Sequence, residues 1–243
     1  MIIKPFILNS VPKSGTHLLL QIIEGIPEMK LVLPYIMGYM NEENPHNIQR
    51  ITSIPANHFI YGHLFYSTFN AEKLNNNKVK QLFLIRDPRD IIVSLYYYMY
   101  RTLPDHPVLR YANEYNLTKE QIINHLITGI KEEEFAYSGT NVIIGTFTKW
   151  IGDPNVLVLK YEDVREPGKQ DHEFYRILYH LTDGKLPSNY YQIIQAMKKN
   201  IEPSKSGTFR KGTSGGWKTE FTNSNIKTFI RECQDLLEDM GYE

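Results

Sequence analysis

One segment near the amino terminus constrains this chain more than any other. Residues 12–18 read PKSGTHL, and they lie between the apolar run Phe6–Leu8 and the helical apolar pattern Leu18–Ile23. A strand, a short polar turn with glycine and a helix together form an anion site. The turn and the helix N-terminus present unpaired backbone N–H groups and partial positive charge. Lys13 adds a full positive charge to that site.

The order of residues in this turn argues against the usual nucleoside-triphosphate loop. That loop has the pattern G-x-x-x-x-G-K-[ST], in which lysine follows glycine, whereas Lys13 precedes Gly15 here. The usual loop also presents a hydroxyl to Mg²⁺, and this sequence has no evident cluster of carboxylates and histidines for a metal. We therefore expect an anion site that needs no metal ion.

Composition narrows the class of protein. The 243 residues and 42% hydrophobic content suit one α/β domain, and we expect a single domain over 1–243. The 27 basic and 27 acidic residues cancel, whereas proteins that coat nucleic acids carry a basic excess. The chain has one cysteine, Cys233, and no apolar stretch near the roughly 18 residues of a membrane span. We expect a cytoplasmic protein with no nucleic-acid partner and no membrane span.

The pattern of apolar residues predicts an α/β fold. Short apolar segments predict buried strands over 6–11, 58–63, 81–86 and 156–161. Helical patterns occur over 16–25, 88–100, 118–131, 140–151, 171–181, 188–199 and 223–240. Strands that alternate with helices predict a mainly parallel central sheet flanked by helices. The polar segments 101–117 and 132–140 are expected to be irregular, either as mobile loops beside an acceptor or as ordinary surface loops.

Four polar residues fall at the carboxyl ends of the predicted strands, namely Lys13, His63, Arg86 and Tyr161. Ligands of parallel α/β sheets bind beyond the carboxyl ends of the strands, so these residues predict one rim of a binding site. Taken singly, each has a plain structural alternative. Arg86 could form a salt bridge, Tyr161 could be a core residue, and one histidine among eight could be a surface or packing residue.

Three segments in order resemble the cytosolic-type sulfotransferases. That family uses 3′-phosphoadenosine 5′-phosphosulfate (PAPS) as sulfo donor and releases 3′-phosphoadenosine 5′-phosphate (PAP). Its segments read PKSGT, R-x-P-x-D-x-x-x-S and RKG-x-x-G-D-W-K, and this chain reads PKSGT at 12–16, RDPRDIIVS at 86–94 and RKGTSGGWK at 210–218. The resemblance covers almost the whole chain and implies the P-loop-like sulfotransferase fold.

The resemblance implies two anion sites for PAPS. The residues implied for the 5′-phosphosulfate are Lys13, Ser14, Gly15, Thr16 and His17, and Leu18 is implied in cofactor binding at the end of the same turn. Those implied for the 3′-phosphate are Arg86, Ser94, Arg210, Lys211 and Gly212. A planar guanidinium fork suits phosphate oxygens, which fits the part assigned to arginine. Tyr161 matches the tyrosine of the family that contacts adenine.

The resemblance also implies a mechanism without a metal. His63 matches the catalytic histidine and would take the acceptor proton as general base. Lys13 would neutralise the negative charge that grows on the leaving phosphate. His17 is a second candidate base, ranked lower because its backbone already has a phosphate to bind.

Several positions depart from the family. Leu18 stands where the family has a tryptophan that stacks on adenine, and Tyr61 stands where it has a lysine near the catalytic histidine. Gly216 replaces the aspartate of the third segment. The family's dimer motif is broken after Lys218, so the oligomeric state stays open.

The acceptor is the least constrained part of the sequence. Tyrosines at 96–98 and 100, and the tyrosines and methionines of 35–40, could line a pocket for a small apolar or phenolic acceptor that carries a hydroxyl or an amine. A peptide tyrosine or a glycan hydroxyl is the alternative acceptor. Two other functions remain: a non-catalytic module that binds PAP or PAPS, and a phosphoryl-transfer enzyme on a related fold.

Overall fold

The computed structural model describes residues 2–32, 50, 53–205 and 212–243. The chain divides into two compact units, one of Met1–Arg86 with Lys149–Arg210 and one of Asp87–Thr148 with Lys211–Glu243. The first unit contains a five-stranded sheet and helices. The second unit contains helices and a small two-stranded sheet.

The described strands are short, and four of the seven lie at the predicted places, whereas three two-residue strands were not predicted. They are β1 (Phe6–Ser10), β2 (Lys30–Leu31), β3 (His58–Gly62), β4 (Lys80–Ile85), β5 (Gly129–Ile130), β6 (Tyr137–Ser138) and β7 (Val156–Lys160). The order in the larger sheet is β2-β3-β1-β4-β7, and every neighbouring pair is parallel. β1 is therefore central, and all five of its residues are buried.

The described helices include each of the predicted ones. They are α1 (Thr16–Glu24), α2 (Thr68–Asn76), α3 (Pro88–Thr102), α4 (Pro107–Glu114), α5 (Lys119–Thr128), α6 (Thr140–Thr148), α7 (Tyr161–Arg165), α8 (Gln170–Leu181), α9 (Tyr190–Lys199), α10 (Trp217–Glu220) and α11 (Asn223–Asp239). Short 3₁₀ turns occur at Glu133–Phe135 and Pro203–Lys205. The mainly parallel sheet with flanking helices confirms the predicted fold class.

One face of the large sheet is covered by α1, α8 and α9. Alternate residues of the strands, such as Phe6, Leu8 and Leu84, share an apolar cluster with Ile22 of α1 and Phe174 of α8. Full burial of one such side chain contributes about 1.5–3 kcal/mol, so this cluster fixes the strands from which the candidate site is built. No helix among the described residues is long and apolar enough to cross a membrane.

The expectation of irregular structure over 101–117 and 132–140 was wrong. The first segment contains the end of α3 and all of α4, and the second contains a 3₁₀ turn and β6. α4 begins after the cap His106, with proline at its first position, and buries only Val108, Leu109 and Ala112. A short helix with one narrow apolar stripe looks polar in sequence, which is why its pattern was missed.

Candidate active site

The turn after β1 has a strained backbone. The N–H of Val11 donates to the carbonyl of Leu84 at 3.1 Å, and the N–H of Ser14 donates back to Val11 at 3.1 Å. Between these bonds Lys13 has a φ of 70°, a left-handed conformation that costs a non-glycine residue about 1–2 kcal/mol. The fold keeps a lysine there despite that cost, which indicates a functional constraint on the position.

The turn presents unpaired donors at the start of α1. In the part of the chain that the structure describes, no acceptor bonds the backbone N–H groups of Gly15, Thr16 or His17. The hydroxyl of Ser14 is buried and has no hydrogen-bond partner there either. The first turn of α1 has no acidic residue and no side-chain cap. These orphaned donors and the positive end of the helix fit an anionic group.

Gly15 is required where it stands. Its φ is 98°, and a Cβ added to it would lie 2.5 Å from Cδ2 of Tyr161. Tyr161 opens α7 directly after β7 and is only 6% exposed, so its ring has little room to move. The ring therefore packs against the turn itself.

Arg86 joins the turn to the same tyrosine. Its guanidinium carbon lies 4.5 Å from the centroid of the Tyr161 ring, and its Nη1 donates to the carbonyl of Lys13 at 3.3 Å. The first unit thus brings together three of the four predicted strand-end residues: Lys13, Arg86 and Tyr161. The backbone of the turn and the guanidinium of Arg86 meet there against the Tyr161 ring.

His63 completes the rim on the other side of β1. It follows β3, whose Gly62 pairs with Asn9 of β1, so its ring lies beside Ser10. The ring Nδ1 is 2.7 Å from the carbonyl oxygen of Ser10 and 3.3 Å from its hydroxyl. That hydroxyl also lies 2.7 Å from the hydroxyl of Thr16 in the turn. Ser10 therefore links the histidine to the anion site.

The contact with Ser10 determines which ring nitrogen can act as a base. A carbonyl oxygen only accepts hydrogen bonds, so Nδ1 of His63 donates and Nε2 of the neutral ring keeps its lone pair. Burial lowers the pKa of His63, the bond to Ser10 raises it, and the charges of Lys13 and His17 lower it again. The net direction is downward, so the ring is neutral near pH 7 and can take a proton on Nε2.

His17 differs from His63 in its surroundings. Partial burial, followed by the charge of Lys13, lowers the pKa of the His17 ring. The side chain is exposed and makes no hydrogen bond within the described residues, so nothing there fixes its tautomer. Leu18, the next residue, packs against the apolar cluster beside α1.

The second unit contains Ser94 and the end of the third family motif, the segment RKGTSGGWK at 210–218. Ser94 is partly buried on α3, one helical turn after Asp90. Asp90 is 2% exposed, and its two oxygens accept from the N–H groups of Gly215 at 2.7 Å and Trp217 at 3.0 Å. Gly212 has a φ of 59°. The first turn of α3 thus anchors the segment that follows the predicted 3′-phosphate residues.

Arg89 reinforces this anchor. It forms a salt bridge with Asp87, the cap of α3, and its guanidinium carbon lies 4.1 Å from the Trp217 ring centroid. The predicted helix start at residue 88 is confirmed. The anchoring contacts of Asp90 were missed. An acidic residue in the first turn of a helix has the helix dipole as its simplest explanation.

Some predicted residues lie outside the described part of the chain. These are Arg210 and Lys211 of the third motif, and the tyrosines and methionines of 35–40. Of the tyrosines on α3, Tyr97 donates its hydroxyl to Glu220 at 2.8 Å, and Tyr100 is 52% exposed. Among the described residues, no group of three His, Cys, Asp or Glu side chains could hold a metal ion.

The family model of the sulfotransferase domain matches residues 4–241. The chain belongs to the sulfotransferase family. This sulfotransferase is 28% identical over 259 residues to sulfotransferase 2A6 of Mus musculus, with 95% of this chain and 83% of the relative covered. It is 26% identical over 243 residues to mouse sulfotransferase 6B1, with 93% and 75% covered.

Solved structures share the fold of this sulfotransferase. The mouse sulfotransferase SULT7A1 complexed with PAP has a TM-score of 0.62 at 20% identity, with 99% of this chain and 89% of that chain covered. Retinol dehydratase in complex with androsterone and PAP has a TM-score of 0.60 at 18% identity, with 97% and 81% covered. The predicted family and the predicted enzyme class, a sulfotransferase, are confirmed.

Proposed function

We propose that this sulfotransferase transfers a sulfo group from PAPS to a hydroxyl of a small apolar or phenolic acceptor. The observation that carries the proposal is the contact of the His63 Nδ1 with the carbonyl of Ser10, 2.7 Å away, at the edge of the anion site. A neutral imidazole with its lone pair on Nε2 is the group that proton removal from a hydroxyl requires. A module that only binds PAP has no use for this arrangement.

The turn fits the 5′ end of PAPS. The donor set consists of the N–H groups of Gly15, Thr16 and His17, the buried hydroxyl of Ser14 and the ammonium of Lys13. PAPS would supply an activated sulfo group on a phosphate that can leave. Lys13 would hold negative charge at the leaving oxygen, and the backbone donors would orient the group without moving.

The proposed 3′-phosphate residues are Arg86, Ser94, Arg210, Lys211 and Gly212. Arg86 is supported by its place on the Tyr161 ring next to the turn. The Tyr161 ring contacts the guanidinium of Arg86, and we propose it as the residue near adenine. Leu18, which packs on the apolar cluster, would add apolar surface to the nucleotide site. Arg210 and Lys211 are proposed from the motif, and Asp90 bonds the N–H groups of Gly215 and Trp217, which follow them in the sequence.

The wider assignments are proposals of the same kind. We propose one sulfotransferase domain over 1–243, in keeping with the family match to residues 4–241. Retinol dehydratase binds androsterone, an apolar alcohol, which supports an acceptor of that class here. The cytoplasm is proposed as the compartment, because the chain has one cysteine and Cys233 is buried as a thiol.

The proposal is tested by incubating the protein with PAPS and a panel of phenols, sterols and other apolar alcohols. We expect PAP and a sulfated product in equal amounts, with no need for added Mg²⁺. Calorimetry with PAP and with AMP runs in parallel, and PAP should bind more tightly because of its 3′-phosphate. Tight PAP binding with no PAPS consumed would favour the non-catalytic module, and Mg²⁺-dependent use of ATP would favour phosphoryl transfer.

A further inference from the structure

The residue after His63 is held by an unusual side-chain contact. Asn9 lies in β1, is 0% exposed, and is the fourth residue of a strand that is otherwise apolar up to that point. Its Oδ1 accepts from the N–H of Leu64 at 2.7 Å, and its Nδ2 donates to the carbonyl of Leu64 at 3.0 Å. One amide side chain therefore satisfies both backbone groups of one residue.

This contact takes the place of the strand-to-strand hydrogen bonds that are missing after β3 ends. β3 ends at Gly62, so the backbone of Leu64 has no strand neighbour, yet Leu64 is 1% exposed. Buried backbone groups need partners, and Asn9 provides them in place of a ladder bond. The indole N–H of Trp150 donates to the same Leu64 carbonyl at 2.9 Å. His63 is thus fixed on both sides, by β3 before it and by this clamp after it.

The direction of the Asn9 amide follows from its partners. The Leu64 N–H can only donate and the Leu64 carbonyl can only accept, so Oδ1 and Nδ2 have a single arrangement that satisfies both. The neighbouring residue of β1, Ser10, supplies the carbonyl that receives the Nδ1–H of His63. Two successive residues of the central strand therefore set the position and the tautomer of one imidazole.

We propose that Asn9 is a positioning residue for the catalytic base: by holding Leu64 it keeps the His63 ring against the Ser10 carbonyl. This inference rests on the proposed function of His63. Without the clamp the backbone at 63–64 can shift, and the Nδ1–H then loses its acceptor. Nε2 would carry the proton in part of the molecules, and those molecules have no base directed at the acceptor.

Nitrogen NMR of the resting protein tests the geometric half of the proposal without turnover. Protein labelled with ¹⁵N-histidine is measured at pH 8, and the His63 signals are assigned by their loss in His63→Gln. We expect Nδ1 to be the protonated nitrogen in the wild type. Asn9→Ala should show a mixture of tautomers, whereas Ser10→Ala, which keeps the backbone carbonyl, should show the wild-type pattern.

Kinetics tests the catalytic half. Asn9→Ala should lower kcat at least about tenfold, as expected for a misplaced catalytic group, and should leave KM for PAPS within about twofold. The matched control is Asn225→Ala. Asn225 is also 0% exposed and also bonds backbone groups, through Glu120 and Thr222, but it lies in the second unit. That variant should lose stability while its kcat and its His63 tautomer stay as in the wild type.

A second variant covers the case in which Asn9→Ala does not fold. Asn9→Asp keeps an acceptor for the Leu64 N–H but replaces the donor that faces the Leu64 carbonyl with an oxygen. It should give intermediate effects on the tautomer and on kcat. A wild-type tautomer in every folded Asn9 variant would overturn the proposal, as would a fall in kcat no larger than that of Asn225→Ala. If instead His63→Asn keeps full turnover, the proposed base itself is wrong, whatever the tautomer of the wild type.

Discussion

Replacing Gly15 with alanine tests whether the turn depends on contact with Tyr161. The left-handed φ of 98° costs an alanine about 1–2 kcal/mol. The new Cβ would lie 2.5 Å from Cδ2 of the ring, and carbon atoms pack at about 3.5–4.0 Å, so the ring must move by roughly 1 Å. Overpacking of this kind in a buried region costs a further 1–3 kcal/mol or so. We expect a loss of about 3 kcal/mol in the free energy of unfolding.

The same change should weaken PAP binding. A shifted Tyr161 ring moves the guanidinium of Arg86, which lies 4.5 Å from its centroid, and a shifted turn moves the unpaired N–H groups. Loss of one well-placed charged contact corresponds to at least about a tenfold rise in Kd. Urea denaturation measures the stability, and titration calorimetry measures the affinity for PAP.

Two controls isolate the cause. Gly145 lies within α6, and a Cβ added there meets no atom within 4 Å, so Gly145→Ala should raise stability by about 0.5–1 kcal/mol and leave PAP binding unchanged. In a Tyr161→Leu background the clash is relieved but the φ remains, so Gly15→Ala should then cost only about 1–2 kcal/mol. If Gly15→Ala matches the wild type in both stability and PAP affinity, the account of the turn is refuted.

Three further predictions concern the site and the fold. Burial and nearby cations lower the pKa of His63, and the neutral ring is the base. In a pH–rate profile, kcat should therefore be level near pH 7 and fall only below pH 6.5. Asp90→Asn removes a carboxylate charge that accepts two backbone hydrogen bonds. The free energy of unfolding, measured by urea denaturation, should therefore fall by about 2 kcal/mol. Calorimetry should show a larger loss of affinity for PAP than for AMP. Burial and the charge of Lys80 lower the pKa of His180 from 6.5 to about 4. The folded protein should therefore lose about 2 kcal/mol of stability as the pH falls from 6.5 to 4. Acid denaturation measures this loss, and His180→Gln should abolish it.

The local parts of the site could be predicted from sequence. The strand, the turn and the helix start are encoded within residues 6–24, and Gly15 within the polar run 13–16 indicates the turn directly. The strand ends at His63, Arg86 and Tyr161 follow from short apolar runs, so their common edge followed from the parallel sheet alone. The sequence alone therefore places four candidate residues at one edge of the sheet, namely Lys13, His63, Arg86 and Tyr161.

The residues that support the site could not be predicted in this way. Asn9 and Leu64 are 55 positions apart, and Asp90 and Gly215 are 125 positions apart. The first bond depends on the register of β1 against β3, and the second depends on the path of a loop. No local sequence pattern predicts either of these. The one available signal was a polar residue, Asn9, in a strand that reads FILNS.

The most direct measurement of the central claim compares the wild type with His63→Asn in PAPS turnover, with PAP affinity measured on both. Asparagine keeps a polar side chain near Ser10 but cannot accept a proton at neutral pH. We expect both proteins to bind PAP within about twofold of each other, and product formation by the variant to fall by roughly 10²–10⁴. A variant that binds PAP normally and forms product at the wild-type rate would contradict the account of His63 as the base of a sulfotransferase.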